Sequence, residues 1–331
     1  MIIIIGLQAD EIHLCGEAST IPLIKSICAS INEEVIICEY ERLTPLTVLN
    51  QSLKGSLTNI RPGDCVVTFS RANIFAFKKQ IESVTGLRCA VIYGSLPSET
   101  RSEQARLFNQ VNSGYDVLVA SDAIGMGLNL NIKRIVFERM EKYDGNFTTP
   151  LSISQVKQIA GRAGRFLTNN PMGEATTFES SDLRYLHRCM DQDIPDLETA
   201  GLAPNMEQLE AFHRALPNEH LSSLLTKFED LSRISGDYQL CDLDDLKLIA
   251  DLTQPLKMPL RDQYQFVTSP VNARRERMTN ALWIMAKSHC DKRPLFVSEL
   301  VELPKEAPKI AAELRELEYT HRIIMNYIWL R

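Results

Sequence analysis

Between Gly63 and Phe178 short apolar runs alternate with amphipathic stretches, and this alternation constrains the fold more than any other feature of the chain. Cys65–Phe69, Arg88–Tyr93, Val117–Ala120 and Arg134–Phe137 are of strand length and largely apolar. Ala72–Ser83, Glu99–Asn109 and a stretch from about Ser152 to Arg162 carry helical spacing instead. Strands with no polar alternation are buried on both faces, so the expected architecture is α/β, a parallel sheet covered by helices on both sides. Upstream, Ile2–Ile5 and Val35–Cys38 are strand candidates flanking a helical stretch, and Pro45 marks a linker. Beyond Asp182 the strand pattern fades into leucine-rich helical stretches at 206–215, 219–232, 243–252, 278–290 and 309–330, with prolines between them. The expected divisions are 1–50, 51–181 and an all-α region over 182–331.

A chain of 331 residues accommodates two or three such domains. A net charge of -6 excludes a uniformly basic nucleic-acid coat but not a basic channel. The eight cysteines show no C-x-x-C and no cysteine–histidine ligand spacing, so they read as reduced, mostly buried thiols without a metal site. No apolar run approaches the ~20 residues of a membrane span. The Met1–Ile5 start has neither transit-peptide nor secretory character, and reads as a core strand with its front cut away.

Two segments carry the chemistry. Gln158-Ile-Ala-Gly-Arg-Ala-Gly-Arg165 places Arg162 and Arg165 three residues apart, which on a helix turn puts both guanidiniums on one face. Gly161 and Gly164 are expected to keep that face bare for close approach of a ligand. Guanidinium forks suit a phosphate chain that gains charge in a transition state, and Gln158 is placed to orient an attacking water. About forty residues upstream, the run Val117–Ala120 ends in Ser121-Asp122 and breaks into a loop containing Gly125, Gly127 and Asn129. The carboxyl end of a buried parallel strand is where open α/β sheets bind ligands.

Together the two segments resemble motifs V and VI of superfamily 2 helicases. The wording of Ser121–Leu130, Arg61-Pro-Gly-Asp-Cys65, Val91–Pro97, His13-Leu-Cys-Gly-Glu17, Ala200–Pro204 and Ser235–Gln239 resembles the mitochondrial degradosome RNA helicases, the suppressor-of-var family, over nearly the whole chain. That resemblance implies a second RecA-like domain over 51–181, preceded by the remnant of a first RecA-like domain and followed by a helical region. It implies ATP with Mg²⁺ as cofactors and RNA as substrate. It also implies an exoribonuclease partner in RNA degradation and a place in the mitochondrial matrix, with the nucleus as an alternative. Arg162 and Arg165 would be arginine fingers on the γ-phosphoryl group, while Gly125, Gly127 and Asn129 would line the nucleotide side. Ser70, Arg71, Gly94 and Ser95 would contact RNA phosphates, although Ser70 and Ser95 equally suit helix capping, and Ser121 and Asp122 would sit towards the RNA or couple the two sites. Arg274, Arg275 and Arg277 read as a solvated helix face before an RNA contact, and Trp283 and Trp329 as core.

Asp10-Glu-Ile-His13 imitates an acidic Mg²⁺ box, yet no G-x-x-x-x-G-K-[ST] loop occurs in the chain. The expectation is therefore a carboxyl portion that holds the fingers but not the phosphate cradle, with ATP and Mg²⁺ held mainly by a first domain. Alone it would not hydrolyse ATP. The alternative is a non-enzymatic RNA-binding or adaptor module.

Overall fold

The structure, a computed structural model, describes residues 6–7, 9–125, 127–143, 147–165, 172–234 and 236–331. The strand expected at Ile2–Ile5 lies outside the described residues. Two compact units are present: Ile37–Pro195, and Met1–Ile36 together with Asp196–Arg331.

The first unit is built on a six-stranded parallel sheet. Its strands are β1 (Leu46–Val48), β2 (Asp64–Val67), β3 (Cys89–Ile92), β4 (Val117–Ala120), β5 (Arg134–Phe137) and, after the short antiparallel pair β6 (Glu141–Tyr143) and β7 (Thr148–Pro150), β8 (Gly173–Thr177). The order is β1-β8-β5-β2-β4-β3. Period-two alternation divides the buried residues between two cores. Cys65, Val67, Leu118, Ala120, Ile135 and Phe137 pack with residues of the helices Ser98–Asn109, Ile153–Ala160 and Ser180–Asp191, whereas Val66, Val117, Val119 and Val136 pack with Ile74 and Ile81 of Arg71–Thr85. At the amino edge Arg134 and Asp64, 3% and 1% exposed, form a two-point ion pair (Nε–Oδ1 3.0 Å, Nη2–Oδ2 2.6 Å).

The boundaries differ from the expected 51–181 for identifiable reasons. Leu46–Val48 pairs with β8, so the unit begins before residue 51. Leu186 and Cys189 of Ser180–Asp191 are buried in the core of the sheet, so it ends after residue 181. Val35–Cys38 is not a strand; Ile36 is 84% exposed and forms no ladder.

In the second unit the helices Met206–Ala215, Leu221–Leu231, Asp244–Thr253, Leu260–Val267, Glu276–Cys290 and Ala311–Leu330 enclose a leucine-rich core. It is not purely helical, because β9 (Ala200–Leu202) and β10 (Tyr238–Leu240) form a parallel pair. Helix Ile21–Ser30 belongs to this unit, with Ser26 Oγ donating to Asp237 Oδ2 at 2.5 Å. Trp283 is half-buried under Lys287 Nζ and Trp329 is 48% exposed, so neither is a core tryptophan. Arg274 pairs with Asp245 at 3.3 Å and Arg277 with Glu316, as a solvated face requires. Four of the eight cysteines are buried and three exposed, fewer buried than expected, and all are free thiols.

Candidate functional site

The carboxyl ends of β2, β4 and β3 are stitched into one rim: Thr68 N–H donates to the Ala120 carbonyl (2.9 Å), and Ser121 N–H to the Ile92 carbonyl (3.0 Å). The six residues expected to meet RNA sit along it. Ser70 caps helix Arg71–Thr85, its Oγ accepting from Asn73 N–H. The Arg71 guanidinium lies 5.5 Å from the Tyr93 ring centroid. Exposed Gly94 and half-buried Ser95 form the turn after β3, and a Cβ at Gly94 would meet nothing within 4 Å. Ser121 Oγ accepts from Ala123 N–H (3.1 Å), which starts the short helical turn Asp122–Gly125, with Asp122 exposed. The hydroxyls of Ser70 and Ser121 are therefore already engaged as backbone caps, with spare acceptor capacity toward solvent.

The two arginines meet the glycine loop nearby. A cleft of about 510 Å³ is lined by Gly127, Leu128, Asn129, Arg162 and Arg165. Arg165 Nη1 donates to the Leu128 carbonyl at 3.2 Å, tying the turn to the loop. Burial first, and the charge of Arg165 second, hold the Arg162 guanidinium below the ordinary arginine value. Among the described residues Arg162 enters no ion pair and no carboxylate lines the cleft. Cations held close together without a lining carboxylate favour a polyanion there. Gly125 ends the helical turn that leads into this loop. Asn129 is set from the side: its carbonyl accepts from Asn109 Nδ2 (2.8 Å), and Asn109 Oδ1 accepts from Asn131 N–H (2.9 Å).

The geometry corrects two expectations. The helix stops at Ala160, and Gly161–Gly164 is a turn, so Arg162 and Arg165 converge through a turn rather than along a helix face. Gly161 and Gly164 do not clear a ligand face. A Cβ on Gly161 would stand 2.9 Å from the Lys157 carbonyl oxygen; one on Gly164 (φ +58°) would stand 2.5 Å from Gly173 Cα. Those glycines serve chain packing. Gln158 is exposed on the last turn of its helix and is not among the residues lining the cleft. Asp10–His13 is exposed, and no grouping of acidic, histidine and cysteine side chains fit for a metal occurs among the described residues.

Comparison with known proteins agrees with this layout. The helicase conserved C-terminal domain matches residues 47–167, the DEXQ-box helicase domain of Suv3 matches 1–40, and Suv3 C-terminal domain 1 matches 249–289. The chain is 44% identical over 328 residues to the Arabidopsis thaliana DExH-box ATP-dependent RNA helicase DExH18, mitochondrial, covering 99% of this chain and 42% of that protein. It is 43% identical to the rice ATP-dependent RNA helicase SUV3L, mitochondrial (99% and 44%), and 41% identical to the human ATP-dependent RNA helicase SUPV3L1, mitochondrial (99% and 42%). The chain spans about half the length of the curated relatives it matches, between 42% and 57% for the plant proteins.

Proposed function

The chain belongs to the Suv3 family of helicases, and we propose that it supplies the arginine-bearing part of an ATP-driven RNA helicase. The observation that carries this reading is the cleft in which Arg162 and Arg165 face Gly127–Asn129. Two guanidiniums and exposed loop backbone match the donors that a triphosphate needs. Preorganised positive charge at a transferring γ-phosphoryl group is worth ~10³–10⁵ in rate. In this reading Arg165 and Arg162 stabilise that charge and Gly125, Gly127 and Asn129 border the nucleotide, while Gln158, outside the cleft lining, is left without the water-orienting role.

The described residues of the lining supply no carboxylate, so in this reading Mg²⁺ would be anchored mainly through the nucleotide and the first domain. With no lysine phosphate loop in their sequence, these 331 residues would bind but not hydrolyse ATP unless joined to a P-loop domain. RNA would lie along the rim of Ser70, Arg71, Gly94, Ser95, Ser121 and Asp122, its phosphates held by hydroxyls, backbone N–H groups and helix starts. The relatives are named as mitochondrial RNA helicases, which supports action on RNA in mitochondria; structured RNA, the matrix and an exoribonuclease partner rest on the resemblance alone.

The test is RNA-stimulated ATP hydrolysis by the full gene product and by the 331 residues alone. Turnover is expected only in the former, with Arg165→Ala reducing it by ~10³-fold or more. Turnover by the 331 residues alone would overturn the division of labour. RNA binding without turnover in either would instead establish an adaptor.

A further inference from the structure

The arginine turn is held from outside by a residue that no motif includes. Arg42 Nε donates to the Thr44 carbonyl (2.7 Å), Nη1 to the Gly161 carbonyl (2.8 Å), and Nη2 to the carbonyls of Ala163 and Gly164, the latter at 3.3 Å. The Thr44 hydroxyl donates to the same Gly164 carbonyl. These acceptors flank Arg162 and immediately precede Arg165. The turn's own amides are engaged elsewhere: Gly161 to Lys157, Arg162 to Ile159, Ala163 to Ala160 and Gly164 to Ile132. Because the helix ends at Ala160, the carbonyls beyond it have no helical N–H to accept from. A guanidinium brought from a distant segment satisfies them.

The clamp is electrostatically costly. Burial first, and the charge of Arg165 second, push the Arg42 pKa down. A third cation held beside the finger arginines is tolerated because its fork reaches three carbonyls of the turn at once, one of them shared with the Thr44 hydroxyl. An anion in the cleft would relieve the repulsion.

We propose that Arg42 is a positioning residue: its planar fork fixes the turn that aims Arg162 and Arg165, and Thr44 assists. This rests on the helicase reading of the cleft. The fork is essential because the acceptors are spread along the turn, and a lysine presents one nitrogen where arginine presents three. Residues 37–44 open the same compact unit that contains the finger turn.

The experiment uses the full gene product with saturating RNA and compares Arg42→Ala, Arg42→Lys and Thr44→Val. Arg42→Ala and Arg42→Lys are both expected to lower kcat roughly 10–100-fold with a much smaller change in KM for ATP, because misplaced groups lose transition-state contacts. Thr44→Val is expected to shift kcat in the same direction by less. Recovery of kcat by lysine would show that charge alone suffices and would overturn the proposal. Hydrogen exchange is the second readout: amides 161–164 should exchange faster in Arg42→Ala while β2 and β4 stay protected. Unchanged exchange there would also overturn it, whether or not the protein turns over ATP. An unaltered protein without RNA-stimulated turnover would defeat the helicase reading while leaving the exchange result to decide the clamp.

Discussion

Gly164 and Gly173 form a reciprocal contact whose disruption has a calculable cost. A Cβ on Gly164 would lie 2.5 Å from Gly173 Cα and 2.6 Å from the Met172 carbonyl carbon; one on Gly173 would lie 2.5 Å from the Ala163 carbonyl oxygen. Ordinary contact begins near 3.4 Å, so an alanine at either position drives the finger turn and the start of β8 apart by about 1 Å. Gly164 also has φ +58°, where a side chain adds about 1–2 kcal/mol. Overpacking adds about 1–3 kcal/mol. Gly164→Ala should therefore cost about 2–5 kcal/mol and Gly173→Ala about 1–3. Since each relieves the crowding of the other, the double variant should cost less than the sum by ~0.5 kcal/mol or more. The assay is urea unfolding followed in parallel by far-UV circular dichroism and tryptophan emission. Both tryptophans, Trp283 and Trp329, lie in the unit containing Asp196–Arg331, so the emission transition should hold while the dichroism transition moves to lower urea. Strict additivity, or single costs under about 0.5 kcal/mol, would refute the packing role. Gly127→Ala is the contrast: its Cβ meets nothing within 4 Å, so only the cost of its φ of +75° applies.

Further outcomes follow from other contacts. Asp64→Asn should destabilise the sheet unit by about 3–5 kcal/mol because it strands a buried guanidinium; Asp64→Leu with Arg134→Met should recover much of that loss, as urea titration would show. In a timed maleimide reaction on native protein, exposed Cys15, Cys38 and Cys241 should label first. Cys65 and Cys89 should stay unreacted until the protein unfolds, since burial pushes the Cys89 thiol up to about 12 and the Cys65 thiol higher still. Burial opposes ionisation of Glu82, but its bonds to Lys78 and to Cys89 N–H, with the charges of Lys78 and Arg88, hold its pKa below the usual range. Its stabilisation is therefore present above the unfolded carboxylate value near ~4.3 and is lost as pH falls through the lower folded value. Glu82→Gln should cost on the order of 1 kcal/mol at pH 7 and nothing in strong acid; a cost independent of pH would sink that assignment.

How far the molecule was legible in its sequence depended on whether the cause of each feature was local. Val117–Ala120 and Arg134–Phe137 were read to the residue, because a strand buried on both faces is apolar nearly throughout, Arg134 at the edge excepted. Val35–Cys38 has the same composition yet lies in no sheet, since composition shows what could pair and not what does. β9 and β10, three residues each with Gly201 in one, carry too little pattern to be seen at all.

At the site the division is the same. Arg162, Arg165, Gly127 and Asn129 stand out in the sequence as two motifs some forty residues apart, and the fold brings them to one cleft. The purpose of Gly164 could not be read locally, because what it avoids is Gly173, on a strand that follows the turn. Arg42 was invisible for the same reason: nothing in Glu41-Arg42-Leu43-Thr44 hints at an acceptor 119 residues away. Sequence patterns thus identify the groups that would touch the substrate, whereas the groups that aim them are found only when the chain has closed on itself. If the clamp holds, Arg42 and Thr44 act on the reaction without being among the described residues that border the cleft, and by less than a finger does: roughly 10–100-fold for Arg42 against ~10³-fold or more for Arg165.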